Sequence, residues 1–391
     1  MDVIEAKQQV RAEIERLTPT LLEISHEVHA NPELNFEEHF AHEMLSGVLE
    51  DEGLDVERGA YDLSTAFDAR VGTSGPTIAV CCEYDALPGI GHACGHNIIA
   101  AAGIGAGLAA ATVAEALGGR LAILGTPAEE GGGGKEFMIR GGAFDDVDAA
   151  MMVHPADHDL RSMHTIAFHT MDVEYEGQAA HAAAAPHKGR NALDAAVLGY
   201  TNVAALRQHI RPEERIHGVF TEAGDKPNIV PARAAAEWYV RSATMESLEP
   251  LKQRVLACLE AGASATGCTM THRWNDPPFY DMIDNTPLLD LYCANAEQVG
   301  RVVHAPDPMS VVSGSTDMGN VSYAVPAIHP MIKVAPAGCA IHTPEFATHA
   351  RSEEGDRAVI DGALSMALTI VDLWADAETL GSVRGAFEET Q

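Results

Sequence analysis

Basic residues are scarce in this chain: 25 Lys and Arg stand against 57 Asp and Glu in 391 residues, a formal charge of -32. Without a basic footprint, neither nucleic acid nor an anionic membrane surface is expected as a partner. Cysteines number seven, an odd count without framework spacing. A disulfide-stapled secreted fold is therefore excluded, and a soluble cytoplasmic protein is expected. The segment from Met1 to Arg16 is charged and helix-patterned and lacks the apolar centre of a signal peptide. Long hydrophobic runs are missing too. The longest apolar stretch, Ile98 to Leu117, is mostly Ala and Gly and contains Thr112 and Glu115, which reads as a buried helix rather than a membrane span.

What is present is ordinary globular composition, 46% apolar and 21% charged, in a chain long enough for two or three domain-sized units. Short apolar runs at Thr77 to Cys82, Arg120 to Gly125 and Ala149 to Val153 read as buried strands. Helix-length segments lie between them, at Asn97 to Leu117 and Lys135 to Gly141. This alternation predicts an α/β fold, a mostly parallel sheet with helices on both faces. From about Thr165 the texture changes to strands and helices of an inserted α+β block: Met171 to Glu176, Asn191 to His209, Ala234 to Arg241 and Leu248 to Ala263. The turn formers Asn275-Asp276-Pro277-Pro278 suggest a return hinge. The expected organisation is a catalytic domain over 1–168 and 284–391, with a smaller domain over 169–283.

Each of the three apolar strands runs into chemistry-bearing residues. The first leads to Glu83-Tyr84-Asp85 and then His92-Ala93-Cys94-Gly95-His96-Asn97, the second to Glu129-Glu130, and the third ends at His154. Ligands of open α/β sheets bind at the carboxyl ends of strands, so these groups are expected to converge. Cys94 and His96 suit a transition metal, although a buried Cys and a helix-capping His is an equal reading of that motif alone. Asp85 favours the metal reading, because a ligating His usually gives its second N–H to a carboxylate. In Ala128-Glu129-Glu130-Gly131, one Glu of a metal hydrolase would bind metal and the other would move protons. Gly131 to Gly134 would let backbone pack against that site, and an exposed acidic turn is the alternative. A phosphate loop is disfavoured, since Gly134-Lys135 lacks a following Ser or Thr. His342, in a turn-rich segment after Met331 to Val334, is a further candidate ligand.

In the inserted block, His181 stands among alanines that another surface could approach. Asn228 and Arg241 could hold a substrate carboxylate, with turn and surface roles as the alternative. Gly103-Ile104-Gly105-Ala106-Gly107 falls inside a helix pattern and does not read as a dinucleotide loop. His92, His158, His164, His187 and His349 are read as bystanders.

Glu83-Tyr84-Asp85-Ala86-Leu87-Pro88, His92 to Asn97, Gly125 to Glu130, Val153-His154-Pro155, Ala180-His181-Ala182 and Asn191 to Ala195 together resemble the M20 family of metallopeptidases. More narrowly, they resemble its amidohydrolase branch, in the subgroup of aminobenzoyl-glutamate hydrolases and β-alanyl-lysine-type dipeptidases. The match runs in order over nearly the whole chain. It implies two divalent ions per subunit (Mn or Zn, with Ni open), held by Cys94, His96, Glu130, His154 and His342. Glu129 becomes general base and then acid, and Asp85 the partner that orients a ligand. The inserted block becomes a lid and dimerisation domain, His181 reaches the partner subunit's site in a homodimer, and Asn228, Arg241, Gly314 and Ser315 meet substrate. The reaction implied is hydrolysis of an N-acyl amino acid or dipeptide amide by a two-metal activated hydroxide. Glu83 departs from the wider family, standing where that family's His-x-Asp motif has His. The rival reading, a non-catalytic binding or scaffold protein of the same fold, would usually lack one of Glu129, Glu130, Cys94 or His96. None is missing.

Overall fold

The computed structural model describes residues 1–306 and 314–390. The chain divides into two compact units, Met1–His164 with Met282–Gln391, and Thr165–Asp281.

The first unit is built on a six-stranded sheet. In spatial order its strands are Val56–Arg58, Phe67–Val71, Arg120–Gly125, Thr77–Cys82, Ala149–Met151 and Ala327–Ile328. The last four run parallel and the first two antiparallel. Every residue of Thr77–Cys82 is buried, which explains its unbroken apolar sequence: a central parallel strand is covered on both faces. The strand Phe67–Val71 was not legible, because Asp68 and Arg70 interrupt its apolar pattern.

The third apolar strand departs from its expected course. It ends at Met151, and His154 opens a separate short strand, His154–Ala156, that pairs in parallel with Met331–Lys333. His154 N donates to Pro330 O at 2.9 Å. The chain has therefore left the main sheet before the histidine, which is fixed by the segment leading to His342.

The helix His96–Leu117 is buried on nearly every side, and its glycines explain how it lies so near the sheet. A Cβ on Gly103 would stand 2.5 Å from Cys82 Sγ, and one on Gly107 would stand 2.5 Å from Ile123 Cδ1. The Gly-x-Gly-x-Gly pattern is thus a packing device. This helix and Glu353–Ala375 are long and apolar enough to cross a membrane, but 89% and 72% of their apolar windows are buried inside the protein.

In the second unit four antiparallel strands stand in the order Thr269–Trp274, Ala167–Glu176, Arg233–Ser242, Arg215–Glu222. Met171, Val173 and Tyr175 alternate inward and meet the helices Ala192–Leu206 and Met245–Thr266. Those helices approach closely through Gly262, whose Cβ would lie 2.3 Å from Ala195 O.

Candidate functional site

Three loops of the first unit build a buried cluster of donors. The loop after Thr77–Cys82 supplies Glu83 and Asp85, then turns through Gly95 (φ +83) into the helix that begins at His96. A side chain on Gly95 would meet Pro155 Cβ at 2.9 Å, so glycine here lets the Cys94–His96 turn lie against the His154 segment. The loop after Arg120–Gly125 supplies Glu129 and Glu130, and Ala128 takes φ +60 to aim them. Gly134 packs where any Cβ would lie 1.9 Å from Pro127 O. His342 also has a left-handed backbone (φ +63), and its N–H donates to Ala93 O at 2.8 Å, tying its loop to the turn that carries Cys94.

Cys94, His96 and His154 each offer one ligand atom, and all three atoms lie within 4.8 Å of one another; so do those of Cys94, Glu130 and His342. Cys94 belongs to both groups, and its Sγ lies 3.3 Å from His154 Nε2. Glu130 Oε1 lies 3.4 Å from His342 Nε2 and 3.8 Å from His96 Nε2. His96 Nδ1 is 2.9 Å from Asp85 Oδ1, and Asp85 Oδ2 accepts Glu130 N–H at 2.9 Å. One buried carboxylate thus orients the ring of His96 and the backbone of Glu130 together, leaving His96 Nε2 turned into the cluster.

The electrostatics follow from burial. Desolvation opposes ionisation of Asp85, but neighbouring His96 outweighs it and holds the carboxyl below its usual range. Burial pushes the His154 imidazole down to about 3, so the ring is neutral. Burial, then the nearby carboxylates Glu83 and Glu130, hold Glu129 well above the usual carboxylate range. Glu83 Oε2, His96 Nε2 and Glu130 Oε1 are buried without a hydrogen-bond partner. Buried polar atoms left without partners in one place are costly, and a bound cation would join them. A thiol, imidazoles and carboxylates therefore fit a transition-metal site.

The remaining expected site residues fall elsewhere. Gly314, whose N–H donates to His164 O at 3.3 Å, and Ser315 lead to Asp317 in the first unit; Ser313 lies outside the described residues. His181, Asn228 and Arg241 belong to the second unit. There His181 pairs with Ile229 in an antiparallel bridge, Ala182 N–H donates to Asn228 O at 3.0 Å, and both imidazole and amide residues are exposed. His181 Nδ1 accepts from Ala184 N at 3.1 Å, which pins the ring. The Arg241 guanidinium lies over the Phe168 ring, 4.7 Å from its centre.

Two supporting groups escaped the sequence reading. Lys135, weighed there only as a phosphate-loop lysine, is fully buried with Nζ 2.6 Å from Glu83 Oε1 and 2.5 Å from Asp317 Oδ1. Glu38 is also fully buried; its Oε1 accepts Ala128 N–H at 2.9 Å and its Oε2 accepts the Thr65 hydroxyl at 2.8 Å. A lysine between glycine and an apolar helix, and a glutamate in an acidic run, carry no sequence signal of burial.

Burial raises the Glu38 carboxyl to about 7 from 4.5. The folded state therefore holds a proton that the unfolded state loses, and stability from this group falls as pH rises between those values, by about 3 kcal/mol. Glu38→Gln can keep these contacts and the Phe36 N–H bond to Oε1 without a charge, its amide NH₂ facing the Thr65 hydroxyl. We expect it to match the parent near pH 5 and exceed its unfolding free energy at pH 8; an equal difference at both pH values in urea melts contradicts this.

The sequence matches the model of peptidase family M20/M25/M40 over residues 79–361. An α/β unit with this donor cluster belongs to the class of M20-type hydrolases, and the chain is a member of the M20 peptidase family. It is 36% identical to the Xaa-Arg dipeptidase of mouse (Mus musculus), over 98% of this chain and 92% of that protein. It is 30% identical to a p-aminobenzoyl-glutamate hydrolase chain of Escherichia coli, covering 92% of this chain and 90% of that one. Among solved structures, it is similar to an aminobenzoyl-glutamate utilization protein from Klebsiella pneumoniae (TM-score 0.73, 21% identity, 92% of this chain and 98% of that chain). It also resembles a dinuclear metal binding peptidase of the M20 family from Bacillus subtilis (TM-score 0.71, 18% identity, 92% and 99%). These structural likenesses establish the fold.

Proposed function

We propose that the chain is a dipeptidase that hydrolyses its amide bond at a two-metal centre, with Glu129 as the proton carrier. The observation that carries this reading is the pair of donor groups sharing Cys94, with the Glu129 carboxylate beside them and belonging to neither. Cys94, His96 and His154 would hold one divalent ion, and Cys94, Glu130 and His342 the other. Bound there, the ions supply Lewis acidity for the substrate carbonyl and lower the pKa of water. Glu129 takes the proton of the attacking water and returns it to the departing amine. Its buried position suits that role, since a carboxyl pushed upward by its surroundings is a stronger base than an ordinary one. Asp85 keeps His96 in the tautomer that leaves Nε2 available.

His181 is assigned to the scissile carbonyl of a partner subunit, where an imidazole can stabilise the developing oxyanion. Asn228, Arg241, Gly314 and Ser315 are assigned to substrate. Homodimerisation is supported by the second unit's edge strand Arg215–Glu222, where Val219 and Phe220 are exposed, and by exposed Val197, Leu198 and Tyr200 on the helix Ala192–Leu206. An unpaired strand edge with apolar neighbours is a natural docking surface for a second copy. The cytoplasmic location remains our proposal, in keeping with seven free cysteines.

Between the substrate classes named for the relatives, the formal charge of -32 favours a dipeptide with a cationic side chain over an acyl-glutamate, which carries two carboxylates. After chelation and restoration of Mn²⁺ or Zn²⁺, kcat/KM for an alanyl-arginine dipeptide should exceed that for p-aminobenzoyl-glutamate by at least about tenfold. A preference for the acyl-glutamate overturns the substrate assignment. Tight binding of the dipeptide without hydrolysis favours the rival scaffold reading.

A further inference from the structure

Glu83 lies outside both donor groups to which the two ions are assigned, yet its side chain is firmly held. It is fully buried. Its Oε1 is 2.6 Å from Lys135 Nζ. That ammonium is held in turn by Asp317, which uses both oxygens: Oδ1 lies 2.5 Å from Nζ, and Oδ2 accepts the Lys135 backbone N–H at 2.9 Å. Within this triad the single oxygen without a partner is Glu83 Oε2. It lies 3.6 Å from His96 Nε2, another atom without a hydrogen-bond partner, and Glu83, His96 and Glu129 each offer a ligand atom within 4.8 Å of the others.

Two features decide what this oxygen can do. His96 Nδ1 is engaged by Asp85 at 2.9 Å, so the Nε2 side of the ring is the one turned to Glu83 Oε2, and neither atom has a hydrogen-bond partner. A separation of 3.6 Å is too long for a hydrogen bond between them. A cation bound by both satisfies both.

We propose that Glu83 is a further metal ligand, joining the ion held by His96 through Oε2, and that Lys135 and Asp317 are positioning residues that fix its orientation. The proposal rests on the two-metal reading and extends its donor set. Because Oε1 is committed to Lys135, Glu83 binds through one oxygen only. The triad also links three separate segments, those of Glu83, of Lys135 and of Asp317, so the loop that carries Gly314 and Ser315 is anchored to the same ligand.

The test is calorimetric titration of the full-length apoprotein with Zn²⁺, and separately with Mn²⁺. The variants are Glu83→Gln, which removes the charge at constant shape, and Glu83→Asp, which keeps the charge and withdraws the oxygen. Both should bind one of the two ions about 10- to 100-fold more weakly, leaving the other within a few-fold of the parent. In Co²⁺-loaded protein, Glu83→Gln should also shift the visible ligand-field bands; Lys135→Gln should shift them too, while Lys135→Arg, which keeps a cation beside Oε1, should stay nearer the parent. If both Glu83 variants take up two ions with parental affinity and unchanged Co²⁺ bands, Glu83 is not a ligand and the proposal is overturned while the two-metal reading stands. If the parent itself takes up fewer than two ions, the underlying reading fails instead.

Discussion

Glu129→Gln is expected to lower kcat by about 10²- to 10⁴-fold while two metal ions per chain and the thermal unfolding midpoint stay near the parental values. The substitution keeps the shape of the side chain and removes its ability to take a proton. Folding should tolerate it well, because Glu129 is buried beside other carboxylates, and burial with those charges disfavours its ionised form. An uncharged amide relieves that repulsion. KM should change little if the residue acts only on protons. Near-normal kcat in a metal-replete variant would remove Glu129 from the mechanism and leave the donor cluster without its proton carrier. Loss of metal together with activity would instead place Glu129 among the ligands.

Lys135→Met should produce the largest stability loss. It removes the ammonium from between Glu83 and Asp317, all three essentially inaccessible to solvent, and leaves two carboxylates buried without compensation. Breaking a buried ion pair from one side costs about 3–5 kcal/mol, far more than the pair's own net contribution. The loss should shrink at low pH: burial already raises Asp317 to about 6, so acid neutralises a group the variant can no longer pair. The double variant Lys135→Met/Asp317→Asn should recover part of the loss at neutral pH. Urea unfolding of the three proteins at pH 5 and pH 8 checks this. A single-variant loss of under about 1 kcal/mol, the size expected of an exposed pair, contradicts the account of a dry triad.

Much of the fold was legible because its central strands are unbroken apolar runs. Thr77–Cys82 and Arg120–Gly125 could be placed nearly to the residue. Phe67–Val71 could not, since its half-polar pattern resembles loop sequence. Most of the cluster was legible for a related reason. Cys94, His96, Glu130 and Asp85 follow closely on buried strands, and strand ends are where side chains of an α/β sheet converge. His154 was expected there too, but it arrives by another route, on a short strand that Met331–Lys333 holds. That pairing is set by residues far apart in the chain, which periodicity does not register.

What stayed hidden has one physical character. Glu38 and Lys135 are charged residues in ordinary sequence surroundings, and only tertiary packing buries them. Glu83 drew notice as a strand-end residue and for the histidine it replaces, and its unpartnered oxygen can be seen only once His96 Nε2 stands opposite. The positive φ of Ala128 and His342 was equally invisible. Alanine rarely adopts that conformation and histidine only occasionally, and both sit where the backbone must turn sharply to aim a candidate ligand or base.

The central claim is that residues distant in sequence hold two divalent ions around Cys94. It is tested most directly by the metal content of the full-length protein, stripped with chelator, reloaded with Zn²⁺ or Mn²⁺, freed of excess ion and measured by inductively coupled plasma mass spectrometry. The account predicts two ions per chain. One ion or none contradicts it.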